Sequence, residues 1–227
     1  MPAAPPPTTV HPLVRCWPLV LAAIALALAD AYVRLTFGGR ARNHEAPFAW
    51  FIATAEWTIP TWFSVAVMAA TGLGCLRQQG EARTCWRLLG LFCCYLAADD
   101  LLAVHERVGE WLHPALGDTG VYSWVIVLGP VFALIGLLCA VRLWRALAAE
   151  PARRRCLLLG FTSLGIAIAI EVAEDRVART DWQPRGIPLV SYAQGFEETI
   201  ELLGPVLLFA AAWARPRGTA ATASRAA

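Results

Sequence analysis

The sequence predicts an all-α membrane protein, a bundle of six transmembrane helices with both termini in the cytoplasm. Hydrophobic residues make up 58% of the 227, and the mean hydropathy is +0.53. Charged residues make up 16%, against about 25% in a typical soluble domain. Apolar runs close to the ~20 residues that cross a bilayer as a helix recur along the whole chain. The short alternating segments of a transmembrane barrel are absent.

In order, the six segments run roughly over 13–36, 57–76, 85–106, 121–142, 156–176 and 196–214. The first, "WPLVLAAIALALADA" after Arg15, also has the form of a secretion signal with a small-residue cleavage site. Its apolar run continues through "YVRLTF", longer than a signal core, so it reads as a retained helix. Glu56 opens the second. The third is "WRLLGLFCC" followed by the unusually polar "YLAADDLLAVHERVGE". Gly129-Pro130 in the fourth and Gly204-Pro205 in the sixth are candidate kinks. The fifth ends on Glu171, Glu174 and Asp175; the sixth opens on Glu197, Glu198 and Glu201. The connections are too short to fold alone, so residues 13–214 read as one transmembrane domain. The longest, 37–56 and 177–195, have room for short interfacial helices. Residues 1–12 and 215–227 read as disordered cytoplasmic tails.

Orientation comes from arginine, because the chain has 19 Arg and no Lys. Twelve Arg, among them Arg15, Arg77, Arg153 and Arg215, fall on one side of the threaded segments and seven on the other. The richer side is cytoplasmic. The cysteines lie near inner helix ends or mid-membrane, so neither a disulfide framework nor a CxxC metal motif is expected. Trp17, Trp57, Trp86, Trp111, Trp124 and Trp213 sit near helix ends, as an interfacial belt does. No phosphate-cradling glycine loop, GxSxG or HExxH occurs, and no basic-aromatic surface marks nucleic acid as a partner.

The acidic residues are sorted by side. Of 17, only Glu81 and Glu150 lie in inner loops; the other 15 lie in outer loops or outer halves of helices. Glu171, Glu174 and Asp175 share one helix face, and Glu197 and Glu201 are i, i+4 with Glu198 between them in angle. Asp99 and Glu106 nearly superpose on a continuous helix. Asp100 and His105 then flank that line on opposite sides and reach one centre only if the helix unwinds near its end. A charged group facing lipid at mid-helix costs on the order of 2.5–3.5 kcal/mol. These side chains are therefore expected to face the interior, protonated, paired with Arg or bridged by a cation. Some have ordinary explanations. Glu45, Glu110 and Asp118 read as solvated loop acids, and Glu197 and Glu198 suit a helix N-terminus. Asp30 and Glu174 fit ion pairing as well as a site. Asp99, Asp100, His105, Glu106, Glu171 and Glu201 lie deepest or combine two ligand types.

"EWTIPTWFS" (Glu56–Ser64), "AADDLLAVHE" (Ala97–Glu106) and "FEETIELLG" (Phe196–Gly204) resemble signatures of a group of uncharacterised bacterial multi-pass inner-membrane proteins, over about residues 45–212. The resemblance implies the same architecture and a bacterial inner-membrane location, and it brings no activity. The chain is also similar in idea to ceramidase-like membrane hydrolases, which hold zinc with histidines near one membrane face and use Ser and Asp. It departs from them in having no His in its fifth and sixth segments, and Ser64 is only a loose parallel. A metal here needs a carboxylate-dominated site with His105 as its one well-placed imidazole.

The expectation is a periplasm-facing cavity that holds a divalent metal on Asp100, His105, Glu171, Glu198, Glu201 and Glu56. Mixed oxygen and nitrogen donors suit zinc, manganese or iron; carboxylates alone suit calcium or magnesium. The chemistry expected of an enzyme is metal-assisted hydrolysis or transfer on a membrane lipid, with Glu106 as general base and Asp99 as a second catalytic carboxylate. The alternative is an ion or metal transporter or sensor that uses the cluster without chemistry. The apolar inner half argues against a through-path. A purely structural role, with Arg–carboxylate pairs at helix ends, is the third option.

Overall fold

Proline and local polar contacts set several helix starts. Pro12 opens a single turn, α1 (Pro12–Arg15), where His11 Nδ1 accepts the Leu13 N–H at 3.3 Å. Cys16 ends it, and the apolar α2 (Trp17–Phe37) begins. A 3-10 turn at Ala49–Phe51 precedes α3 (Ile59–Leu76), which has Pro60 in its first turn. Then come α4 (Arg83–Leu102), α5 (Val104–Leu116), α6 (Ser123–Ala146), α7 (Pro151–Ala178) and α8 (Leu189–Trp213). This computed structural model describes residues 11–37, 48–53, 57–116, 123–178, 180, 182–184 and 188–214. No strand occurs among them. The expected tails, apart from residues 11 and 12, and Glu56 lie outside the described residues.

The segment boundaries differ from expectation for physical reasons. α7 starts at Pro151 rather than near 156, because Arg153 turns inward instead of ending the helix in solvent. α8 starts at Leu189 rather than near 196. The polar stretch "SYAQG" is helical and uses its side chains: Tyr192 donates to the Pro184 carbonyl at 3.2 Å, and Gln194 donates to Glu174. The expected third helix is two helices, with a break at Ala103.

Helix α8 is the central element, packed against α7, α3 and α2. Small residues allow the closest approaches: a Cβ on Gly204 would lie 3.5 Å from the Gly160 carbonyl oxygen of α7, and Gly72 faces Gly90 between α3 and α4. The main apolar core gathers Cys75, Leu89, Cys93, Leu143, Leu157 and Leu208. Helix α6 packs on α4, α5 and α7 but keeps most of its surface outside that core. Among the described residues four helices, α2, α3, α6 and α7, are long and apolar enough to cross a membrane, and the bent pair α4–α5 makes a fifth if counted as one span. This fits a multi-pass membrane protein.

The end of the bundle away from the acids is tied by Arg153, which is only 3% exposed. Its guanidinium donates to the Ala211 carbonyl and to Gln78 Oε1 at 2.7 Å, approaches Glu150 at 3.5 Å and lies 4.8 Å above the Trp86 ring. Arg153→Ala is expected to lower stability by about 3 kcal/mol, because it strands the buried Ala211 carbonyl of α8 and removes the partner of Gln78 just beyond α3. A detergent melt of the purified variant measures this; an unchanged melt contradicts it.

Candidate functional site

The site is built on the break between α4 and α5. Ala103 adopts φ 49, ψ 45, the left-handed conformation that ends helices but costs a non-glycine residue on the order of 1 kcal/mol. Its N–H closes on the Asp99 carbonyl, and α5 leaves at 71° to α4. The Asp99 side chain holds the turn from inside. Asp99 Oδ1 accepts the backbone N–H of His105 at 2.9 Å, and Oδ2 lies 2.9 Å from His105 Nδ1. Asp99 is 5% exposed, so the carboxylate is sheltered from solvent while the imidazole stays partly open. An ionised carboxylate only accepts, so it holds a neutral ring in the tautomer with the proton on Nδ1 and the lone pair on Nε2.

The break also changes which residues meet. On a continuous helix Asp99 aligned with Glu106; here it pairs with His105, and Glu106 is exposed while still lining the cavity. Asp100 and His105, on opposite sides of a straight helix, both line the same void. Trp124 at the start of α6 lies over His105, with ring centroids 4.8 Å apart, and donates its indole N–H to Glu171 Oε1 at 3.2 Å. Ser64 of α3 lines the same void as Asp100.

The void is a cavity of about 1000 Å³, at the upper end of the range for small-molecule sites. Asp99 and Asp100 reach it from α4, His105 and Glu106 from α5, Glu171 and Glu174 from α7, and Gln194, Glu197, Glu198 and Glu201 from α8. Every expected site residue inside the described chain therefore contributes to one cavity. Away from these groups it continues as an apolar slot along Phe92, Phe132, Gly136, Phe161 and Ile168. Among the described residues no three His, Cys, Asp or Glu side chains are gathered tightly enough to hold a metal ion as they stand. Asp30 lies apart: it is 2% exposed, is paired with Arg34 Nε at 2.7 Å, and accepts the Ala53 N–H at 2.9 Å.

The family model of DUF8692, a domain of unknown function, matches residues 17–215. This chain belongs to the DUF8692 family. No curated protein and no solved structure matches it. The family match takes in α2 to α8, and so every wall of the cavity in this DUF8692 chain.

Three contributors to the site escaped the sequence reading. Trp124 reads as an interfacial tryptophan, yet it bridges His105 and Glu171. Gln194 falls in what reads as a loop, yet it donates to Glu174 Oε2 at 3.2 Å. Ser64 was only a loose parallel. The signal available for Gln194 was its i, i+3, i+4, i+7 relation to Glu197, Glu198 and Glu201.

Proposed function

We propose that this DUF8692 protein is a six-span inner-membrane protein with cytoplasmic termini, whose acidic cavity opens toward the periplasm, binds a divalent cation and acts on a membrane lipid. On this reading α8 is the sixth span, and its three carboxylates are admitted because they face the cavity rather than lipid. The observation that carries the proposal is the Asp99-held imidazole of His105 facing carboxylates from α4, α7 and α8 in one void that runs on into an apolar slot. Asp100, His105, Glu171, Glu198 and Glu201 are the proposed ligands, and they need modest side-chain movement to close on one ion. A bound cation there would activate water and polarise the bond to be cleaved. Asp99 fixes the imidazole tautomer, and Glu106, exposed on the cavity wall, takes the proton. A polar headgroup would lie among the acids and its chain in the slot.

The test is turnover of a bacterial lipid extract in detergent micelles, read by mass spectrometry with and without EDTA. Cleavage products that vanish with EDTA, and in both Asp100→Asn and His105→Ala, are expected. No product under any added divalent cation contradicts the enzymatic reading. The transport reading keeps one specific support, the 71° break at the acids with Pro130 and Pro205 inside α6 and α8. Cation uptake into proteoliposomes without lipid turnover would favour it.

A further inference from the structure

We infer that the wall of the cavity formed by Glu174, Glu197 and Gln194 receives the ammonium head of a long-chain amine, with its hydrocarbon tail in the slot between α4, α6 and α7. This deepens the reading of the cavity as a lipid site and rests on it.

Glu174 is 6% exposed, and its Oε1 has no hydrogen-bond partner among the described residues, although the residue lines the cavity. Its other oxygen accepts from Gln194 Nε2. Glu197, one helical turn on from Gln194 in α8, lines the same cavity, so carboxyl groups from α7 and α8 border this wall together. A buried polar atom without a partner is costly, and carboxylates that share a wall need a positive group or a proton between them. The wall offers acceptors and a single amide. No Arg lines the cavity among the described residues, and the chain has no Lys. A phosphate head brings only acceptors and negative charge to such a wall. An ammonium brings three N–H donors, a positive charge and no acceptor, and so matches it.

The slot has space for the tail. A Cβ on Gly165 would meet nothing within 4 Å, and one on Gly136 would meet only Phe161, at 3.9 Å. Phe92, Phe132 and Ile168 complete apolar walls that run up to the acids. A positive head at one end and a hydrocarbon chain at the other satisfy both parts of one continuous void.

The test uses the full-length protein in detergent and three probes that share a sixteen-carbon chain bearing a photoreactive diazirine. Their heads are a primary amine, an alcohol and a phosphate. The amine probe is expected to label peptides within 129–140 and 161–168, and the other two to label them at background. Glu174→Gln and Glu197→Gln are each expected to lower amine labelling at least tenfold, as loss of a buried charged partner does. Gly165→Trp is expected to abolish labelling by filling the slot; a melt checks its folding, and the two isosteric Gln variants stand as the test if it fails to fold. Equal labelling by the three heads overturns the inference, as does amine labelling that neither Gln variant changes. Metal content is read on the native protein in the same preparation. Selective amine labelling of a native protein without metal overturns the cation proposal alone. Metal bound without headgroup selectivity overturns this inference alone.

Discussion

Asp99→Asn is expected to weaken divalent-cation binding 10- to 100-fold while leaving the fold intact, the usual scale for losing the partner that orients a metal-binding histidine. Asp99 now accepts two N–H groups, from the His105 backbone and from Nδ1. Asparagine has one acceptor oxygen. It can keep the backbone contact that holds the α4–α5 break, but its NH₂ then meets Nδ1. That favours the tautomer with the proton on Nε2, and the one lone pair, on Nδ1, is taken by the amide N–H instead of being offered to a cation. Asp99→Ala removes both contacts and is expected to loosen the break as well. Titration of metal-depleted protein with a divalent cation, read by calorimetry, separates the two. Equal affinity in native and Asp99→Asn protein contradicts the role assigned to Asp99.

Asp30→Ala is expected to act on stability. Asp30 serves as a brace: it pairs with Arg34 on its own helix and accepts the buried N–H of Ala53, so it ties α2 to the segment before α3. Its removal takes the carboxylate from a largely buried arginine and leaves the Ala53 N–H without that acceptor, at a cost of about 3 kcal/mol. For a chain of this size that is about 6–12 °C in Tm. Asp30→Asn retains an acceptor for Ala53 and is expected to lose less. A detergent melt of the two variants beside the native protein measures the order; an unchanged Tm for Asp30→Ala contradicts it.

The membrane class and the clustering of acids at one end were legible because both are period and composition effects. Apolar length marks spans, and 100° per residue places Glu171 with Glu174 and Glu197 with Glu201 on single faces. The α4–α5 break was legible only as a condition. Spacing shows that Asp100 and His105 share a centre only if the helix unwinds, yet "DDLLAVHE" holds no Gly or Pro to say where. Ala103 takes the left-handed conformation because Asp99 caps the turn from within, and that tertiary contact has no local signature. Arg153 misled the boundary of α7 for a related reason: a triple arginine reads as a solvated loop, but its first member finds carbonyl, amide and aromatic partners inside. Trp124 was legible as a helix-end tryptophan, while its partners on α5 and α7 are set by packing alone.

The most direct measurement is elemental analysis of the purified native protein and of His105→Ala, both reconstituted with excess zinc, manganese, iron or calcium and freed of unbound ion. The account predicts close to one divalent ion per native chain and less than a tenth of that in the variant. A native protein that retains none of the four, or a variant that retains as much as the native, contradicts it.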